Sequence, residues 1–128
     1  MIALAPLSDR EETSRLFSEN GLEFTESSGC VSAKCGQEVL GFCLYDLDKN
    51  GIIIYKIVPE NDLSLADGIL RSTLHVAAER SIMNAFYSGE DIEKLCDKLD
   101  FIKDRAEKSL KINKLFESCC REPRHADA

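Results

Sequence analysis

Asn50-Gly51-Ile52-Ile53-Ile54-Tyr55-Lys56-Ile57-Val58-Pro59 decides the fold of this chain, together with the residues from Glu60 to Gly89. Asn50-Gly51 is a tight-turn pair, and the seven apolar-rich residues after it read as a strand that Pro59 ends. Glu60-Asn61-Asp62-Leu63 is a polar loop, and a helix is expected from about Ser64 to Ser81. Its apolar positions Leu65, Ile69, Leu70, Leu74, Ala77, Ala78 and Ile82 recur at helical spacing and mark one face for packing on a sheet. Ala85-Phe86-Tyr87 then reads as a second buried strand. A strand–helix–strand crossover of this length is where α/β proteins hold an anionic group, at the helix N-terminus. Here that turn carries carboxylates and no glycine-rich stretch.

Outward from this unit, the N-terminal half alternates short elements. Ile2 to Leu7 is a first strand, and Ser8 with Glu11 forms a capping box for a helix from Asp9 to about Asn20, ended by Asn20-Gly21. A strand is expected over Cys30 to Cys35 after a looser lead-in. Glu38 to Leu47 is apolar on both faces and so reads as a central strand, with Val39, Cys43, Tyr45 and Leu47 on one side. Leu40, Phe42 and Leu44 take the other side. Asp48-Lys49-Asn50-Gly51 joins it to the next strand as a hairpin. Beyond Tyr87, a short helix is expected from Asp91 to Leu99, then strands starting at Phe101-Ile102 and over Ser109 to Ile112. Ile112, Leu115, Phe116, Cys119 and Cys120 fall at helical spacing and predict a closing turn or two with both cysteines packed inward. Arg121 to Ala128 is expected to be a disordered tail, leaving residues 1–120 as one domain.

With 128 residues, 44% of them hydrophobic and 30% charged, the composition is that of an ordinary globular domain. No apolar run approaches the roughly 20 residues of a membrane span. Met1-Ile2-Ala3-Leu4-Ala5-Pro6 lacks the basic region of a signal peptide, so a cytoplasmic location is expected. A formal charge of −7 repels phosphate backbones, which argues against nucleic acid or an anionic membrane as partner. The six cysteines contain no Cys-x-x-Cys pair, and Cys30-x4-Cys35 is wide for a zinc knuckle. They read as reduced thiols, several buried, with no metal site. Vicinal Cys119 and Cys120 read as a packing and oxidation-sensitive feature. His75, one position off the apolar stripe, reads as a surface residue.

The element order β-α-β-β-β-α-β-α-β-β describes an α/β (α+β) mixed sheet flanked by helices. Within it, Gly41-Phe42 in the third strand, Ile57-Val58-Pro59-Glu60 at the exit of the fourth, Ile69-Leu70 with Ala77-Ala78-Glu79-Arg80 on the long helix, and Lys98-Leu99-Asp100-Phe101 resemble the GNAT acyltransferase superfamily. The resemblance covers nearly the whole chain. It implies transfer of an acyl group from acetyl-CoA or another acyl-CoA to an amine on a small molecule or a protein. It also implies splayed fourth and fifth strands that admit the pantetheine arm, held by backbone groups of Ile57 and Val58. Ser64, Gly68 and Arg71 are then the candidates for the cofactor's phosphates. Tyr87 is the candidate acid for the departing thiolate and Glu60 the candidate base, with Glu38 and Tyr55 as further candidates.

The sequence departs from the family's R/Q-x-x-G-x-G/A turn, because Asp62-Leu63-Ser64-Leu65-Ala66-Asp67-Gly68 keeps a single glycine, expected inside the helix. Ser64 and Asp67 have capping-box spacing and would satisfy the helix N–H groups themselves. Asp67, Asp62 and Glu60 would also meet a pyrophosphate with like charge, at a cost of order 1–4 kcal/mol. No tyrosine lies on the following helix. Two functions are compatible with these residues: a non-catalytic or divergent binding module, including one that dimerises with itself, and an active N-acyltransferase. The self-capped helix and the acidic loop favour the first.

Overall fold

The computed structural model describes residues 2–116. Its elements are β1 (Ile2–Pro6), α1 (Arg10–Glu19), β2 (Ser28–Cys35), β3 (Glu38–Asp48), β4 (Gly51–Val58), α2 (Leu63–Glu79), β5 (Ala85–Tyr87), α3 (Glu90–Lys98), β6 (Ile102–Asp104) and β7 (Ser109–Leu110). The seven strands form one sheet in the order β1-β2-β3-β4-β5-β7-β6. β1 to β4 run as antiparallel neighbours, and β4 pairs with β5 in parallel through the α2 crossover. This is the expected mixed sheet. The closing turn expected after Ile112 is helical over residues 114–116. Phe116 is exposed there rather than packed, while Ile112 is buried. Cys119, Cys120 and the tail from Arg121 lie outside the described residues.

Two apolar clusters hold the layers together. On one face, α2 and α3 pack over Val31, Cys43, Tyr45, Ile52, Ile54 and Ile57. On the other, Phe17 of α1 packs with Cys30 and Leu44, flanked by Phe24, Phe42 and Tyr55. Cys30, Cys43 and Cys96 are buried free thiols, as expected of small hydrophobes. Burial pushes the Cys30 and Cys96 thiols up to about 12, so neither is a thiolate at neutral pH.

Three local expectations are corrected. Asp9, not Ser8, caps α1, its Oδ1 accepting from the N–H of Glu11 and Glu12 at 3.0 and 3.2 Å. The β1 ladder continues to Leu7, whose N–H donates to Cys30 O, and this moves the helix start along by one residue. In α2 the cap is Asp62 rather than Ser64. Lastly, β3 does not keep one alternation throughout. A register shift between Ala33 and Lys34 leaves Leu40 as an extra residue, so Leu40 packs on the α2 side and Val39 is exposed.

A second shift, between Leu44 and Tyr45, makes Tyr55 the extra residue of β4. Just beyond it, β4 and β5 part company. Their pairing covers only Ile52–Ala85, Ile53–Phe86 and Ile54–Tyr87, and Ser88 N–H to Ile54 O is the bond that ends it. Among the described residues, the remainder of β4, with Ile57 and Val58, has no strand neighbour on that side.

Candidate functional site

α2 starts directly after Pro59 and a short polar loop. Asp62 Oδ1 accepts the Leu65 N–H at 3.1 Å, so a side-chain carboxylate sits at the positive end of the helix dipole. Asp67 lies a turn further in, beyond the reach of the unbonded N–H groups. It pairs instead with Arg71, whose Nε donates to Asp67 Oδ2 at 2.8 Å. Arg71 is thereby engaged away from the helix start, with its guanidinium 5.2 Å from the centre of the Phe101 ring. Glu60 is exposed on the loop and Gly68 is inside the helix.

Asp62→Ala tests the cap. The helix loses one N–H acceptor and one dipole-matched charge, so stability should fall by about 1 kcal/mol. Thermal unfolding should show the midpoint lower by about 3–5 °C.

Ser64 and Gly68 do meet in one place. They line a depression of about 950 Å³ beside the first turn of α2, with Pro59, Leu63, Leu4 and Ile2. It opens toward β1, not toward β5. Tyr87 belongs elsewhere: it is buried at the end of β5, and its hydroxyl donates to Glu93 Oε2 of α3 at 3.1 Å. Burial first, and that carboxylate second, push its pKa up. Glu93 is in turn paired with Arg105 at 3.1 Å. Ile57, Tyr87, Ile92, Leu95 and Phe101 are all buried members of the core cluster on the α2 and α3 face. His75 is exposed and faces Glu79. Among the described residues no group of three or more His, Cys, Asp or Glu is placed to hold a metal ion.

One polar cluster joins Tyr55 to residues that the sequence does not single out. On the α1 face, Asp46 accepts from Ser28 Oγ at 2.7 Å and from Tyr55 Oη at 2.8 Å. Arg10 donates to Ser28 O and stacks over Phe24. Burial and the Asp46 contact together push Tyr55 up to about 12, so its hydroxyl is a proton donor to the carboxylate throughout the neutral range. The one available signal is an acid between Tyr45 and Leu47, near the end of β3.

No protein-family model and no curated protein matches this sequence. Solved structures do superpose. The ribosomal-protein-alanine N-acetyltransferase from Brucella melitensis biovar Abortus 2308 aligns with TM-score 0.57 and 16% identity, over 77% of this chain and 90% of that one. The ribosomal-protein-S18-alanine N-acetyltransferase from Escherichia coli gives TM-score 0.57 at 12% identity, over 81% and 79%. The AtaT Y144F mutant toxin, bound to the C-terminus of the antitoxin AtaR, gives 0.54 at 13%, over 91% and 97%. The fold is that of the GNAT acyltransferases. The sequence resemblance and the architecture therefore agree on the scaffold. At these identities the likeness extends to the GNAT fold alone. No helix among the described residues is long and apolar enough to cross a membrane.

The donor set at α2 can be tested against the acyl-CoA that the GNAT fold implies. A pyrophosphate needs backbone N–H groups free to crowd it and positive charge close by. The Asp62 carboxylate already takes the Leu65 N–H, Glu60 adds a second acid in the loop, and Arg71 is engaged by Asp67. These residues do not fit a nucleotide diphosphate.

Proposed function

We propose that this chain is a GNAT-fold binding module without acyltransferase activity. The observation that carries the reading is the Asp62 carboxylate at the N-terminus of α2, in the position an anionic ligand would need. One further feature supports it: the Tyr87 hydroxyl is tied to Glu93 and buried at the end of β5. The fold's usual ligand is an acyl-CoA, and like-charge repulsion of order 1–4 kcal/mol at this turn weakens it by about one to three decades.

Calorimetric titration of the reduced protein with acetyl-CoA at low salt tests this directly, because low ionic strength favours even a faint phosphate contact. The expected result is no heat, and no shift of the thermal midpoint at millimolar ligand. A ligand present at about 100 times its dissociation constant would add about 2.7 kcal/mol, which is an easily visible shift. Micromolar binding would overturn the proposal. The competing reading would then stand, an N-acyltransferase acting on a small-molecule or protein amine. Its cofactor contacts would come from Ile57, Val58, Ser64, Gly68 and Arg71, with Glu60 and Tyr87 as base and acid.

A further inference from the structure

The two edges of the sheet are built differently. β6 is three residues long and carries Lys103 and Asp104, the usual protection of an edge against pairing with another chain. β1 is Ile2-Ala3-Leu4-Ala5-Pro6, five residues with no charge, and every one of them is exposed. In a chain of formal charge −7 this is an unguarded strand. The surface next to it is apolar as well. Among the described residues six large hydrophobic side chains are exposed, and three of them, Ile2, Leu4 and Leu63, line the 950 Å³ depression beside α2. Among the described residues Asp62 is the one charged residue lining it. A side chain at Gly68 would reach Leu4 at 3.6 Å, so the glycine leaves the flank of α2 open over the strand.

The backbone of β1 says what covers it. β1 pairs with β2 without a register shift, Ile2 with Cys35 through Pro6 with Val31. Leu7 N–H donates to Cys30 O, so residues 3, 5 and 7 face β2, and by antiparallel alternation Ile2, Leu4 and Pro6 turn their polar groups outward. Two N–H groups and three carbonyls therefore line the free edge. A second β1 can be laid against it antiparallel, about a two-fold axis at Leu4. Leu4 exchanges both bonds with its counterpart, and each Ile2 N–H meets the other copy's Pro6 carbonyl. Proline has no N–H to be left over. Every outward donor is satisfied by the same strand turned around, as an isologous interface requires.

We infer that β1 is the seam of a homodimer, in which two seven-stranded sheets join edge to edge through antiparallel β1 strands centred on Leu4. Ile2, Leu4 and Pro6 of both copies then form one apolar row on the α2 face, with the two Leu4 Cα atoms about 5.5 Å apart. Leu63 of each copy flanks the row. The absence of charge from β1 lets two acidic chains approach there, whereas the β6 edge carries its own charges.

Sedimentation equilibrium of the full chain, from about 1 to 100 µM, should show a monomer–dimer equilibrium. Leu4→Lys puts two ammonium groups at the axis and should weaken the dimer on the order of 30-fold or more. Since that variant also touches folding, amide exchange in the unmodified protein supplies a second readout. The Ile2 and Leu4 amides should become protected as concentration rises, while those of Ala3 and Ala5, which face β2, should be protected at every concentration. A monomer throughout the range would overturn the inference. So would a dimer whose Leu4 amide exchanges freely, or one that Leu4→Lys leaves intact, because its interface would lie elsewhere.

Discussion

Replacing Gly41 with valine should lower the stability of the protein by about 3 kcal/mol, at the upper end of what overpacking costs. A Cβ at this position of β3 would run into the carbonyl oxygen of Val58, and would lie 2.9 Å from both Ile69 Cδ1 and Pro59 Cδ. The Ile69 tip can move, but the Val58 carbonyl and the Pro59 ring are fixed where β4 ends. Gly41→Ala isolates the first carbon. It gains about 0.4–1 kcal/mol by stiffening the unfolded chain, and the clash outweighs that gain. Urea denaturation is the measurement: with a slope of about 1–3 kcal/mol/M, the valine variant should unfold about 1–3 M earlier. An unchanged midpoint would mean that the β3–β4 exit is looser than the packing implies.

Phe101→Ala should cost about 3–5 kcal/mol, enough to leave a marginal domain largely unfolded at 37 °C. The ring is fully buried, with Arg71 of α2 at 5.2 Å and Lys114 at 4.6 Å from its centroid. Phe101→Leu keeps much of the apolar volume and removes the ring face. It should lose about 1–2 kcal/mol, the sum expected of two cation–π contacts. Arg71→Ala should then be nearly silent in the leucine background and measurable in the wild type. Equal losses in both backgrounds would assign Arg71's contribution to its pair with Asp67 instead.

Much of the architecture can be read from residue order because it rests on periodicity. The run Ile52 to Val58, the α2 stripe from Leu65 to Ala78 and the trio Ala85-Phe86-Tyr87 each carry their own period, and all three elements form, with Ile82 falling just past the end of the helix. The features that escape such a reading depend on partners far along the chain. Ser28 meets Asp46 across 18 residues, and Tyr55 reaches it across a bulge. Neither bulge places its surplus residue on a glycine or proline, so no local signal announces it. Leu40 and Tyr55 look like ordinary strand residues, yet each is the extra member that shifts its neighbours' faces. The caps fall one or two positions from the residues expected, because Ser8-Asp9 and Asp62-Leu63-Ser64 each offer more than one good acceptor, and the preceding ladder or loop chooses between them. At the candidate site the acidic character of the α2 turn is legible in the sequence. The direction in which the depression opens is not, since it depends on where β1 lies.

The junction between β4 and β5 has a consequence for how the molecule comes apart. Four strands on one side are stitched by long antiparallel ladders, whereas within the sheet β5, β6 and β7 join β4 through three parallel residue pairs, the rest of the junction being side-chain packing. Parallel pairing is the weaker kind per residue, and three pairs is a short hem. The Phe101 ring, gripped by Arg71 from one side of that line and Lys114 from the other, acts as the rivet across it. The two panels are therefore expected to differ in tenacity: in native-state amide exchange the C-terminal panel of β5, α3, β6 and β7 should open at a lower free energy than the four-stranded panel.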